Sequence, residues 1–163
     1  SNLLKNFQQT LSLGAEEYES VSKGALVSGG LDSSIITDTL LKNLRCETHF
    51  VSAVPQYSHS ETKGREIISD IILSKGFNMQ EVILSADMLA KHLKDAIKAQ
   101  GRPLGDLSEV AHFVTAQALA KKGCKVVYGG LGADELFFGY RHQRSFGSIG
   151  GLIEFVGKQA IKN

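Results

Sequence analysis

The chain has 163 residues, enough for one domain, 1–163, with its own core, and its composition is that of a globular protein: 42% hydrophobic, 21% charged, 17 glycines and 2 prolines. A net charge of +1 excludes the broad basic footprint of a nucleic-acid binder. No apolar run reaches the ~18 residues of a membrane span, and the first ten residues lack the layout of a signal peptide. The two cysteines, Cys46 and Cys124, form neither a disulfide framework nor a zinc pattern. They read as buried thiols in a reduced, cytoplasmic compartment.

Leu3, Leu4, Phe7 and Leu11 fall at helical spacing and predict a first helix, which Gly14 ends or interrupts. A short helical turn carries Tyr18 and Val21. Residues 24–27 read as a buried strand, followed by a loop at 28–34 and a helix from about 32 to 43. Residues 47–54 predict a second strand, stopped by Pro55. A polar connection then leads to a helix carrying Ile67, Ile68, Ile71 and Ile72. Residues 79–85 predict a third strand, and Met88, Leu89, His92, Leu93, Ala96 and Ile97 mark an amphipathic helix. After the loop "QGRPLGDLS", Ser108 is the expected N-cap of a helix that Gly123 stops. Residues 124–128 predict a fourth strand, followed by a second glycine-rich loop at 129–135. The last twenty residues read as weakly helical, with an apolar stripe at Ile149, Leu152, Ile153 and Val156.

Short apolar strands alternating with helices predict an α/β fold: a doubly wound parallel sheet with helices on both faces. In such sheets ligands bind beyond the carboxyl ends of the strands, where the strand order reverses. Both glycine-rich loops directly follow a strand, so both are placed to line one crevice.

The first loop, Ser28-Gly29-Gly30-Leu31-Asp32-Ser33-Ser34, suits a phosphate. Its glycines let the backbone turn and approach a ligand, the helix start offers free N–H groups, and three serines add hydroxyls. It is neither a Walker loop nor GxGxxG. Asp32 is anomalous there, because a carboxylate repels phosphate unless a cation lies between them. A Mg²⁺ shared by Asp32 and the phosphates resolves the conflict; the alternative is that Asp32 only caps the helix. The second loop, Gly129-Gly130-Leu131-Gly132-Ala133-Asp134-Glu135, repeats the logic of glycines followed by acids. A second carboxylate on the same Mg²⁺ is its simple explanation, against a tight turn with a capping Asp.

"VSGGLDSS" and "GGLGADELFFGY", together with "RPLGDLSEV", resemble the asparagine synthetase family, specifically its ATP-dependent synthetase domain. The first motif is shared with the wider SGGxDS group of ATP pyrophosphatases, which includes GMP, NAD, argininosuccinate and tRNA lysidine synthetases. The resemblance implies the adenine nucleotide alpha-hydrolase-like, or PP-loop, fold, with ATP and Mg²⁺ as cofactors. It further implies that a carboxylate is adenylated, with release of pyrophosphate, and that ammonia or an amine then displaces AMP. By position it assigns Ser28, Gly29, Gly30, Asp32, Ser33 and Ser34 to the pyrophosphate. Leu26 and Ser52 would meet adenine or ribose through backbone groups, Gly129 and Gly130 would lie against the nucleotide, and Asp32 and Asp134 would bind the metal. For catalysis the resemblance offers only Glu135 and Asp106 as candidates.

The chain departs from the family pattern at three points. Leu131 stands where asparagine synthetase has Glu, Gly129 replaces a Ser, and no lysine matches the family's pyrophosphate-binding lysine, since Lys158 and Lys162 come too early. These residues are not expected to include the family's glutamine-hydrolysing half, and neither Cys46 nor Cys124 is placed as its nucleophile. The expected partners are therefore a small carboxylate, ammonia or an amine donor, and a separate glutaminase or C-terminal partner, with a homodimer left open. The competing readings are an ATP-binding or partner-binding module without independent catalysis and another SGGxDS pyrophosphatase. Among the other residues, His59 falls where it could reach the crevice, His92 reads as a core-edge residue, and Arg102 and "YRHQR" read as solvated charge.

Overall fold

The computed structural model describes residues 2–18, 20–42, 47–56, 62–137 and 139. In chain order the elements are α1 (Asn2–Glu17), β1 (Lys23–Leu26), α2 (Leu31–Lys42), β2 (Thr48–Pro55) and α3 (Thr62–Ser74), then β3 (Met79–Leu84), α4 (Ala86–Gln100), α5 (Ser108–Lys121), β4 (Val126–Tyr128) and α6 (Ala133–Phe137). They fall into two compact units, Ser1–Gly129 and Gly130–Asn163.

The first unit is built on a four-stranded sheet in the order β3-β2-β1-β4, with every pair parallel. Successive side chains of a strand point to opposite faces, and the core divides accordingly. Ala25, Val27 and Phe50 pack with Ile36 and Leu40 of α2 and Ile68 and Ile72 of α3 on one face. Val51 and Val82 pack with Ala96 of α4 and Val110, Val114 and Leu119 of α5 on the other. This is the doubly wound arrangement expected from the alternating pattern. Gly24 brings α5 close to β1: a Cβ there would sit 2.8 Å from both methyl carbons of the fully buried Leu119.

Several local expectations are corrected. Gly14 neither ends nor interrupts α1, which continues to Glu17. A mid-helix glycine costs only about 1 kcal/mol, and Leu11 packs against the core one turn earlier. Ser108 is not an N-cap but the first residue of α5; its N–H and its hydroxyl both donate to Asp106 Oδ1, at 2.7 and 2.5 Å. On α3 only Ile68 and Ile72 enter the core, while Ile67 and Ile71 are exposed. Strand β3 exposes Gln80, Glu81 and Ile83, because it is an edge strand rather than a central one. His92 sits at the core edge as expected, with its ring beside that of Phe113. His59, Cys46, "YRHQR" and the C-terminal stripe lie outside the described residues.

Candidate nucleotide site

Strand order places β1 between β2 on one side and β4 on the other, so the chain reverses direction across the sheet between β1 and β4. The crevice beyond their carboxyl ends is where an open α/β sheet binds its ligand. The end of β1 meets the end of β4 there: a Cβ at Gly129 would lie 3.6 Å from Leu26 Cδ1, an ordinary contact.

The loop after β1 is tied together by its own serines. Ser33 Oγ receives the Ser28 N–H at 3.2 Å and lies 2.9 Å from Ser28 Oγ. Ser33 donates its single hydroxyl proton to the Gly30 carbonyl at 3.1 Å, so Ser28 is the donor of the pair. Ser28 Oγ in turn accepts the Gly30 N–H at 3.2 Å. The Gly30 carbonyl also accepts the Ser34 hydroxyl at 2.7 Å and the Ser34 N–H at 3.1 Å. Gly29 has a φ of 83°, a conformation that favours glycine. The first-turn N–H groups of α2 have no intrahelical acceptor and, with the helix dipole, favour an anion at this loop.

Asp32 lies on that first turn, partly buried, and its carboxylate accepts no hydrogen bond and makes no ion pair among the described residues. It therefore does not cap α2, since the turn is closed through Gly30. No group of three or more His, Cys, Asp or Glu is assembled among the described residues. The donor set thus provides no all-protein metal cage. It suits a hard cation such as Mg²⁺, which one or two carboxylates hold together with phosphate oxygens.

Ser52 is fully buried in β2, and its hydroxyl has no partner among the described residues. Asp106 is committed to the start of α5: hydrogen bonds from the Ser108 hydroxyl and N–H hold its carboxyl below the ordinary carboxylate value. The loop before α5 is organised instead by Glu109. Its Oε1 accepts the Gly105 N–H at 2.9 Å, and its Oε2 pairs with Arg102 at 3.1 Å. Arg102 is an exposed surface charge, as expected, and pairs with Glu109.

In the second unit Gly132 has a φ of 90°, and the Leu136 N–H donates to its carbonyl. Asp134 and Glu135 lie on the first turn of α6, and the Asp134 carbonyl accepts the Gly139 N–H at 3.1 Å. Leu131 is 70% exposed.

Sequence reasoning passed over Gly64, Arg65 and Glu81. Gly64 looked like the tail of a polar connection, whereas it lies in the first turn of α3 against Gly29. A Cβ on Gly64 would stand 2.5 Å from the Gly29 carbonyl oxygen, and one on Gly29 would stand 2.8 Å from Arg65 Cα. A glycine at the junction of that connection with the helix is the one signal that marked it.

The parallel sheet, its strand order and the serine-glycine loop at the reversal point define the adenine nucleotide alpha-hydrolase-like, or PP-loop, fold. The NH3-dependent NAD synthetase of Campylobacter jejuni shares this fold, with a TM-score of 0.51 at 14% identity over 85% of this chain and 59% of that one. The family model described as asparagine synthase matches residues 16–152, and the chain belongs to that family. A relative from Methanocaldococcus jannaschii, bearing the name asparagine synthetase (glutamine-hydrolyzing) 1, is 30% identical over 76% of this chain and 22% of its own length. One from Mycobacterium bovis, named asparagine synthetase (glutamine-hydrolyzing), is 31% identical over 74% of this chain and 18% of its own. The chain thus spans about a fifth of the length of these relatives.

Proposed function

We propose that this chain forms the ATP-binding part of an amide-forming ligase that adenylates a carboxylate for attack by ammonia or an amine. The observation that carries the reading is the serine-knotted loop at the sheet reversal, with an unengaged Asp32 on the helix that follows it. Family membership and the PP-loop fold support it.

In this reading the N–H groups of the loop and of the α2 first turn hold the β- and γ-phosphates, and backbone at Leu26 and Ser52 receives the nucleoside. Gly129 and Gly130 leave room beside it. A substrate carboxylate oxygen attacks the α-phosphorus, the bond to the β-phosphate oxygen breaks, and pyrophosphate leaves. An amine nitrogen then attacks the acyl carbon, loses a proton, and AMP departs. The chain contributes position and charge neutralisation rather than a covalent intermediate. Mg²⁺, which Asp32 would hold together with the phosphate oxygens, would neutralise the charge that builds on the leaving pyrophosphate.

Leu131 favours a second reading, in which the nucleotide binds without independent catalysis. Where asparagine synthetase has a glutamate, this chain presents an exposed leucine that can neither accept a hydrogen bond nor orient an amine.

The test is calorimetric titration of ATP into the chain with and without Mg²⁺, repeated with Asp32→Ala. Binding that requires Mg²⁺ and is lost in the variant is the expected result. A folded wild-type chain that ignores ATP would sink the nucleotide reading. Formation of AMP and pyrophosphate from a carboxylate and an amine would favour ligase over binding module, whereas ADP and phosphate would exclude adenylation.

A further inference from the structure

Three contacts link the phosphate loop to the outer strand of the sheet. Gly29 and Gly64 meet backbone to backbone, with no room for a side chain on either. The next residue, Arg65, directs its Nε to Glu81 Oε1 at 3.3 Å, with the arginine side chain only 12% exposed. Glu81 lies on β3 in direct register with Ser52 of β2. Register partners in a parallel pair share a face, so Glu81 projects on the face of Ser52. The first turn of α3 therefore lies between the loop after β1 and the strands, with the Arg65–Glu81 pair on its strand side.

We infer that Arg65 and Glu81 are positioning residues of the nucleotide site: their ion pair holds the first turn of α3 against Gly29 and so keeps the phosphate loop in its binding conformation. The inference rests on the nucleotide reading above. The pair itself adds little to global stability, because Glu81 is half exposed and exposed pairs are weak. Glu81 also lines an open cavity of about 500 Å³ with Arg65, Glu66, Ser69 and Asp70, so neutralising it leaves no void. What the pair controls is local, the backbone at Gly29. The strand bearing Ser52 is held by its ladders to β1 and β3 whether or not the pair forms.

The test is calorimetric titration of wild type, Glu81→Gln and the charge-reversed double variant Arg65→Glu/Glu81→Arg with Mg-ATP, magnesium pyrophosphate and adenosine. Thermal unfolding is followed in parallel. Glu81→Gln is expected to unfold near the wild-type temperature, to lose about five-fold or more in affinity for ATP and pyrophosphate, and to keep its affinity for adenosine. The double variant is expected to recover part of the loss. Unchanged affinity for ATP and pyrophosphate in Glu81→Gln, or an equal loss for adenosine, overturns the positioning role and leaves the nucleotide reading intact. A folded wild-type chain that binds none of the three overturns the nucleotide reading, and this inference with it.

Discussion

Ser28 and Ser33 share one proton-ordered contact, 2.9 Å between hydroxyl oxygens, in which Ser28 donates and Ser33 passes its own proton to the Gly30 carbonyl. Ser33 is buried, so its loss would not be made good by water. Ser33→Ala strips the Ser28 N–H and hydroxyl of their acceptor and removes one donor from Gly30. The expected cost is about 1–3 kcal/mol of stability, read by denaturant unfolding, together with weaker ATP binding. An unaltered ATP affinity would show that the loop holds its shape without the serine network.

Gly24→Ala tests the packing of α5 on β1. The added methyl group meets the two methyl carbons of Leu119, which is fully buried and has nowhere to retreat. Overpacking of this kind typically costs about 1–3 kcal/mol, so the denaturation midpoint should fall. Gly14→Ala is the matching control. Its methyl group meets nothing within 4 Å, so helix propensity should leave stability equal or slightly raised.

Asp106 sets a pH dependence. The hydrogen bonds from Ser108 lower its carboxyl below 3.8 in the folded chain. A depressed folded value means that its contribution is complete above the unfolded value and is lost as pH falls through the folded one. The stability of Asp106→Asn should therefore lie closer to that of wild type at low pH than at neutral pH, read by denaturant unfolding at each pH. A carboxyl resonance at Asp106 titrating at or above the ordinary value would contradict the assignment.

Cys124 should be inert while the chain is folded. Burial raises its thiol above 9.0, and its Sγ lies 3.3 Å from the Lys23 carbonyl. The raised value keeps the folded thiol neutral, so this contribution to stability is present below the unfolded value and fades as pH rises through the folded one. In a Cys46→Ser background, alkylation at pH 8 should await unfolding by denaturant. Rapid labelling of the native chain would show that the thiol is reached without unfolding.

The sheet was legible because its signals are local and periodic. Each strand is a short apolar run ended by a turn, and α4 carries a clear apolar stripe, whereas α2 and α5 were placed by the turn residues that flank them and the short α6 was read as loop. The first loop was legible for the same reason, since glycine, serine and aspartate lie side by side. What escaped depended on the order of strands in space. Nothing in "MQEVIL" says that β3 is an edge, yet that alone explains why Glu81 is exposed and free to meet Arg65. Gly64 and Gly29 are separated by α2 and β2, and their contact follows only from the return of α3 to the phosphate loop. Ser108 was expected to cap α5, yet Asp106 accepts the hydrogen bonds at that end, because two residues able to cap stood within one turn and propensity does not rank them.

β1 lies in the interior of the sheet, yet its two neighbours come from distant parts of the chain: Lys23 pairs with Thr48 on one side and with Val126 on the other. During synthesis the second of these partners leaves the ribosome about a hundred residues after β1 has done so. For that interval β1 carries an open row of amide and carbonyl groups, which is the condition under which strands pair with the wrong chain. The Tyr128 hydroxyl, which donates to the Gly14 carbonyl at 3.1 Å, ties the late strand back to the first helix. The crevice between β1 and β4 is therefore expected among the last features to form, so the nucleotide site proposed there would be complete only once this long-range pairing has closed.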